Sequence, residues 1–84
     1  MTIDLHGFNV EQTVAQLAHA IFSFQHDQYE QQLEIITGRG QKVVFETTLD
    51  YLDKEGIYYH LDDRRHRVII YKHENPQLED VELI

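Results

Sequence analysis

The sequence predicts an α/β fold, a two-layer sandwich of order βαβαββ with a mixed four-stranded sheet and two helices mainly on one face. Three observations carry that expectation. Two short apolar segments each end in a polar residue and glycine directly before a stretch of helical periodicity, the pattern of a strand-to-helix turn. The two turns, Asp4-Leu5-His6-Gly7 and Thr37-Gly38-Arg39-Gly40, lie about thirty residues apart, the length of one βαβ crossover. Two β-rich runs separated by a charged loop then follow, the mark of an antiparallel hairpin.

Taken in order, Thr2 to Leu5 reads as a strand that points Ile3 and Leu5 one way and Thr2, Asp4 and His6 the other. Asn9 with Gln12 three residues later is a capping-box spacing, so a helix starts near Val10. Val10, Val14, Leu17, Ile21 and Phe24 form the stripe expected to face the sheet, and the helix runs to about Gln28. Leu33 to Thr37 is the second strand. The second helix begins near Gln41, carries Val44, Phe45, Thr48, Leu49 and Leu52 inward, and ends at Gly56 as a left-handed cap. Ile57 to Leu61 and Arg67 to Lys72 are the hairpin strands, and His73-Glu74-Asn75-Pro76 breaks the last of them. The expected division is a domain over 1–73 and an acidic tail over 74–84.

Composition narrows the function classes. The 84 residues suit one domain, which at this size buries only about 60% of the surface its unfolded chain exposes. No cysteine is present, which excludes disulfides, thiolate zinc sites and a thiol nucleophile. No apolar run approaches the roughly 20 residues of a membrane span, and Asp4 and His6 interrupt anything resembling a signal peptide, so a soluble cytoplasmic protein is expected. The net charge of −8 repels phosphate backbones at long range. Without the tail, residues 1–73 still hold seven basic against eleven acidic side chains, net −4.

The right-handed crossover rule puts both glycine turns at the carboxyl edge of neighbouring parallel strands, where open α/β sheets bind ligands. His6 and Arg39 then face one cleft. If the third strand runs parallel to the first two, the hairpin tip joins the same edge and Arg64, Arg65, His66 and Arg67 border that cleft. His6 can take or give a proton near neutral pH, or its ring can simply hydrogen-bond the turn. Asp4, two residues earlier on the same face, is close enough to orient the imidazole or to help bind a metal, or is simply an acid on the open face of the sheet. Gly38-Arg39-Gly40 fits anion binding, since amides at a helix start point at a phosphate and arginine adds a charged fork; Lys42 supplies one more charge. Tyr58, Tyr59 and Tyr71 suit either base stacking or half-buried strand positions. No cofactor is expected, and no second carboxylate-histidine group stands at a ligand spacing that would support a divalent metal.

The pair DLHG and TGRG, in this order and at this separation, resembles the Smr (small MutS-related) domain, and the resemblance runs from about Thr2 to Tyr71. It implies a shape similar to the carboxyl-terminal domain of translation initiation factor 3. It further implies DNA or structured RNA as partner and endonuclease (nicking) activity, with His6 and Asp4 in the nuclease function. Smr domains commonly carry GKG where this chain has Gly38-Arg39-Gly40, and use that turn to contact nucleic acid; Arg39 preserves the charge. Arg39, Arg64, Arg65 and Arg67 would hold phosphates. The first turn of the second helix departs from the pattern, with Lys42 as its only basic residue. The alternative expectation is a non-catalytic module of the same fold that binds a protein partner.

Overall fold

The computed structural model describes residues 1–79. Its elements follow the expected order: β1 (Thr2–Asp4), α1 (Val10–His26), β2 (Gln32–Ile36), α2 (Lys42–Lys54), β3 (His60–Asp62) and β4 (Arg67–Tyr71), with two short 3-10 turns at Lys72–Glu74 and Pro76–Leu78. The strands form one mixed sheet of order β1-β2-β4-β3. β1 and β2 are parallel, and β4 is antiparallel to both β2 and β3, so β3 runs in the direction of the first two strands. The ends of β1, β2 and β3 therefore share one edge of the sheet. The α/β two-layer expectation holds.

Alternation explains the single core. Leu33, Ile35, Val68 and Ile70 are fully buried while their strand neighbours are only half-buried, so both helices cover one face and the other stays open. Asn9 caps α1 with the full capping box: its Oδ1 accepts from Gln12 N–H, and Gln12 Oε1 accepts from Asn9 N–H. The helix stops at His26 rather than Gln28 because Asp27 Oδ1 accepts from the Tyr29 and Glu30 amides, turning the chain. Gly56, at φ +67, closes α2 with Ile57 N–H donating to Leu52 O at 2.9 Å.

The helix α1 buries Thr13, Leu17, Ala20, Ile21 and Phe24. Val10 and Val14, expected inside, are exposed. At about 100° per residue Val14 is turned about 80° from Phe24, and Val10 occupies the first turn, so Thr13 takes the inner position there.

The first hairpin strand is shorter than Ile57 to Leu61 because the side chain of Asn75 takes the place of a ladder partner. Asn75, almost fully buried, accepts from Tyr58 N–H at 2.7 Å and donates from Nδ2 to Tyr58 O and Tyr71 O at 3.0 and 2.9 Å. The buried core also continues past residue 73: Leu78 joins it, and Lys72, also buried, donates from Nζ to Asp27 O while lying 4.6 Å over the Phe24 ring. The packing of residues 74–78 follows from these contacts, whereas residues 80–84 of the acidic tail lie outside the described residues.

Candidate nucleic-acid interface

Three segments meet at the shared sheet edge. The turn after β1 carries His6 and Gly7, the turn after β2 carries Thr37 to Gln41, and the hairpin tip spans Asp62 to Arg67. Hydrogen bonds fasten them. Gly7 N–H donates to Gln41 Oε1 at 3.0 Å, and Thr37 donates from both N–H and Oγ1 to His66 O at 2.9 and 3.0 Å. His66 aims its carbonyl by adopting a left-handed conformation, φ 53.

Gly38 shows how close the first two turns are. A Cβ built on it would lie 2.7 Å from His6 Cβ and 3.0 Å from Gln41 Cγ, and its φ of +89 suits glycine alone. Only glycine lets the second turn lie against His6. The structure thus brings His6 and Arg39 onto adjoining turns of one rim.

Asp4 and His6 form a pair. Asp4 Oδ1 accepts from the His6 backbone N–H at 3.0 Å and from the ring at Nδ1 at 2.9 Å. Those two bonds, the backbone one first, hold the Asp4 carboxyl below its ordinary 3.8, so it is ionised at neutral pH and acts as an acceptor. With the carboxylate as acceptor, Nδ1 is the donor of this bond, and Nε2 is the ring nitrogen left outside the pair. The His6 side chain is 70% exposed, so the ring is open to a substrate.

An open cleft of about 380 Å³ lies between the second turn, the start of α2 and the hairpin tip. Gly38, Gly40, Lys42 and Arg67 line it, together with Phe45, Asp62 and Asp63. His6, Asp4, Arg39, Arg64 and Arg65 stand outside the cleft, on the rim and the tip. The α2 start has no side-chain cap, because Gln41 spends its side chain on Gly7, and no acidic residue occupies its first turn. Its leading amides are available to an anion.

The expected cations differ in availability. Arg39, Arg64 and Arg65 are exposed and form no ion pair with the described residues. Arg67 is bound through Nη1 to Glu34 Oε2 across β2 and β4, so its charge is already matched. Lys42 reaches Glu46 at 3.9 Å on the exposed side of α2. Glu34 and the cleft carboxylates Asp62 and Asp63 were not singled out from sequence, since only strand register shows that Glu34 sits diagonally opposite Arg67. Gln41 was also missed; a residue that rarely caps helices at a cap position is the signal that its side chain has another use. Tyr58 and Tyr71 lie in a row of rings with His60 and His73, with centroids 5.2 to 5.7 Å apart.

Among the described residues no three histidine or carboxylate side chains converge to hold a metal ion, and no helix is long and apolar enough to cross a membrane. Among curated proteins none matches the chain. Residues 3–78, which include both glycine turns and the hairpin, match the family model of the Smr domain, and the chain belongs to the Smr domain family.

Proposed function

We propose that this Smr domain binds DNA or structured RNA across the rim formed by its two glycine turns and hairpin tip, and nicks it by acid–base chemistry at His6. The observation that carries the reading is the Asp4–His6 pair, an ionised carboxylate fixing the imidazole with Nε2 toward solvent, on a turn that touches the Gly38-Arg39-Gly40 loop. The family is one generally linked to nucleic-acid binding and nicking. As the oxygen of a water, or of the neighbouring 2′-hydroxyl in RNA, bonds to phosphorus, Nε2 takes its proton. As the P–O bond to the departing oxygen breaks, the imidazolium returns a proton to that oxygen, and Asp4 keeps the ring in register and steadies the imidazolium. Arg39, Arg64 and Arg65, with the amides of Gly40 and the α2 start, meet phosphate oxygens and the charge that develops on them.

Salt-dependent binding of labelled branched DNA and structured RNA tests the first half, because phosphate contacts make affinity fall steeply with salt. Cleavage by wild type, His6→Ala and Arg39→Ala tests the second: nicking that drops in both variants supports the assignment, and equal nicking by all three removes it. A second reading, a non-catalytic module that binds a protein, draws on the net charge of −8, the Glu34–Arg67 pair and the two cleft aspartates. Failure to bind either nucleic acid at low salt would leave that reading in its place.

A further inference from the structure

The helical layer carries an apolar feature that neither the core nor the rim uses. On α1, Val10, Val14, Ala18 and Phe22 recur every four residues, the row that forms a ridge on a helix surface and interlocks with a facing helix. Val10 is 51%, Val14 39% and Phe22 62% exposed. Single exposed apolar side chains are ordinary, but a row of them beside a hollow is the mark of an interaction surface. The hollow is a furrow between α1 and α2 that is bordered beyond Ala18 and Phe22 by Ile57, Gln77 and Leu78. Its two parts, about 470 Å³ beside Val10 and Val14 and about 280 Å³ beside Ala18 and Phe22, share Tyr51 as a wall. Between Val10 and Phe22 the ridge is about 18 Å long, room for roughly three turns of a second helix.

Charge says what kind of helix. α1 contains no lysine or arginine, and across the layer Glu11, Glu46, Asp50, Asp53 and Glu55 outnumber Lys42 and Lys54. Both lysines are already engaged, Lys42 with Glu46 at 3.9 Å and Lys54 with Asp50 at 3.1 Å. A nucleic acid would be repelled here, and a second copy of this chain would bring two acidic layers face to face.

We infer that the α1–α2 furrow docks a basic amphipathic helix of another protein. Its apolar side chains at i, i+4 and i+7 enter the two hollows, and its flanking lysines or arginines meet Glu11 and Glu55 and share Glu46 and Asp50 with Lys42 and Lys54, which hold them in exposed pairs. The surface uses no side chain assigned to nucleic acid, so the inference stands or falls apart from the rim.

The test uses the full chain and a synthetic 15-residue helical peptide with leucines at i, i+4, i+7 and i+11 and lysines and alanines elsewhere. Two controls accompany it: a twin with glutamate for lysine, and a scramble of the same composition. Amide shift titration should place the lysine peptide on α1 and α2, with the twin and the scramble each at least about tenfold weaker. Phe22→Ser and Val14→Ser, both at exposed positions, should weaken the lysine peptide by about tenfold or more while nucleic-acid binding stays at the wild-type level. The double change Glu46→Lys with Asp50→Lys should transfer preference toward the glutamate twin. Equal binding of the twin or scramble, undiminished affinity in both serine variants, or shifts centred off the two helices overturns the inference. Concentration-dependent self-association of the wild type that Phe22→Ser abolishes would overturn it in favour of a second copy.

Discussion

Replacing Gly38 by alanine probes the contact on which the rim depends. The added methyl carries two costs that can be separated. At φ +89 an L-residue is strained by about 1–2 kcal/mol, whatever surrounds it. The new Cβ would also stand 2.7 Å from His6 Cβ and 3.0 Å from Gln41 Cγ, so the turns must part, at about 1–3 kcal/mol for an overpacked contact. Gly40 is the control: its φ is +70, but a Cβ there meets nothing within 4 Å, so Gly40→Ala bears the strain alone. The expected loss is about 2–5 kcal/mol for Gly38→Ala and about 1–2 kcal/mol for Gly40→Ala. With a urea m-value of about 1 kcal/mol/M for so small a domain, the difference moves the unfolding midpoint by about 1 M or more. Urea unfolding of the three proteins and the His6 ring resonances in each give the answer. Gly38→Ala should shift the His6 signals and Gly40→Ala should leave them. Equal midpoints for the two variants, with the His6 ring unmoved in both, would refute the claim that the two turns are in contact.

Four further outcomes follow from the same geometry. The Asp4 carboxyl is held below 3.8 by the His6 amide first and the imidazole second, so in His6→Ala its titration midpoint, followed by carbon NMR, should rise but stay below 3.8. Because the native value is the depressed one, whatever Asp4 contributes to folding is present above pH 3.8 and is lost as pH falls through the native value. In nucleic-acid binding, Arg39→Ala should lower the log–log salt slope by about 0.7–0.9, one phosphate contact. Arg67→Ala should lower it less, and Glu34→Gln should tighten binding by releasing Arg67; a larger effect at Arg67 than at Arg39 would contradict the pairing. Thr13 Oγ1 is buried and has no hydrogen-bond partner among the described residues, so Thr13→Val should stabilise by about 1 kcal/mol, a rise of about 4–8 °C in Tm. Asn75→Ala strips three hydrogen bonds from a buried junction and should cost about 2–4 kcal/mol, visible in the same urea scale.

Much of this fold was legible in one dimension because its signals are local. The period of four and three in α1, the Asn9–Gln12 box and the Gly56 cap each depend on residues within a turn of one another; the box and the cap appear as read, and the stripe does so from Leu17 to Phe24 but not at Val10 and Val14. The placement of two polar-glycine turns on one edge was also legible, because crossover handedness leaves a parallel pair little alternative. Element ends were less so. β3 begins late because Asn75, far along the chain, occupies the backbone of Tyr58, and α1 ends early through an Asx turn at Asp27.

What the sequence by itself determined is the order of elements, the two motif turns and the Asp4–His6 spacing, since these rest on backbone periodicity and on side chains two residues apart along a strand. Tertiary structure alone decided which charges are free and which apolar residues are inside. Arg67 is neutralised by Glu34 from another strand, Val14 is turned out while Thr13 is turned in, and Gln41 ties one turn to the other. Strand register, helix rotation and loop contact set those outcomes, and each is a distance between segments that the order of residues does not contain.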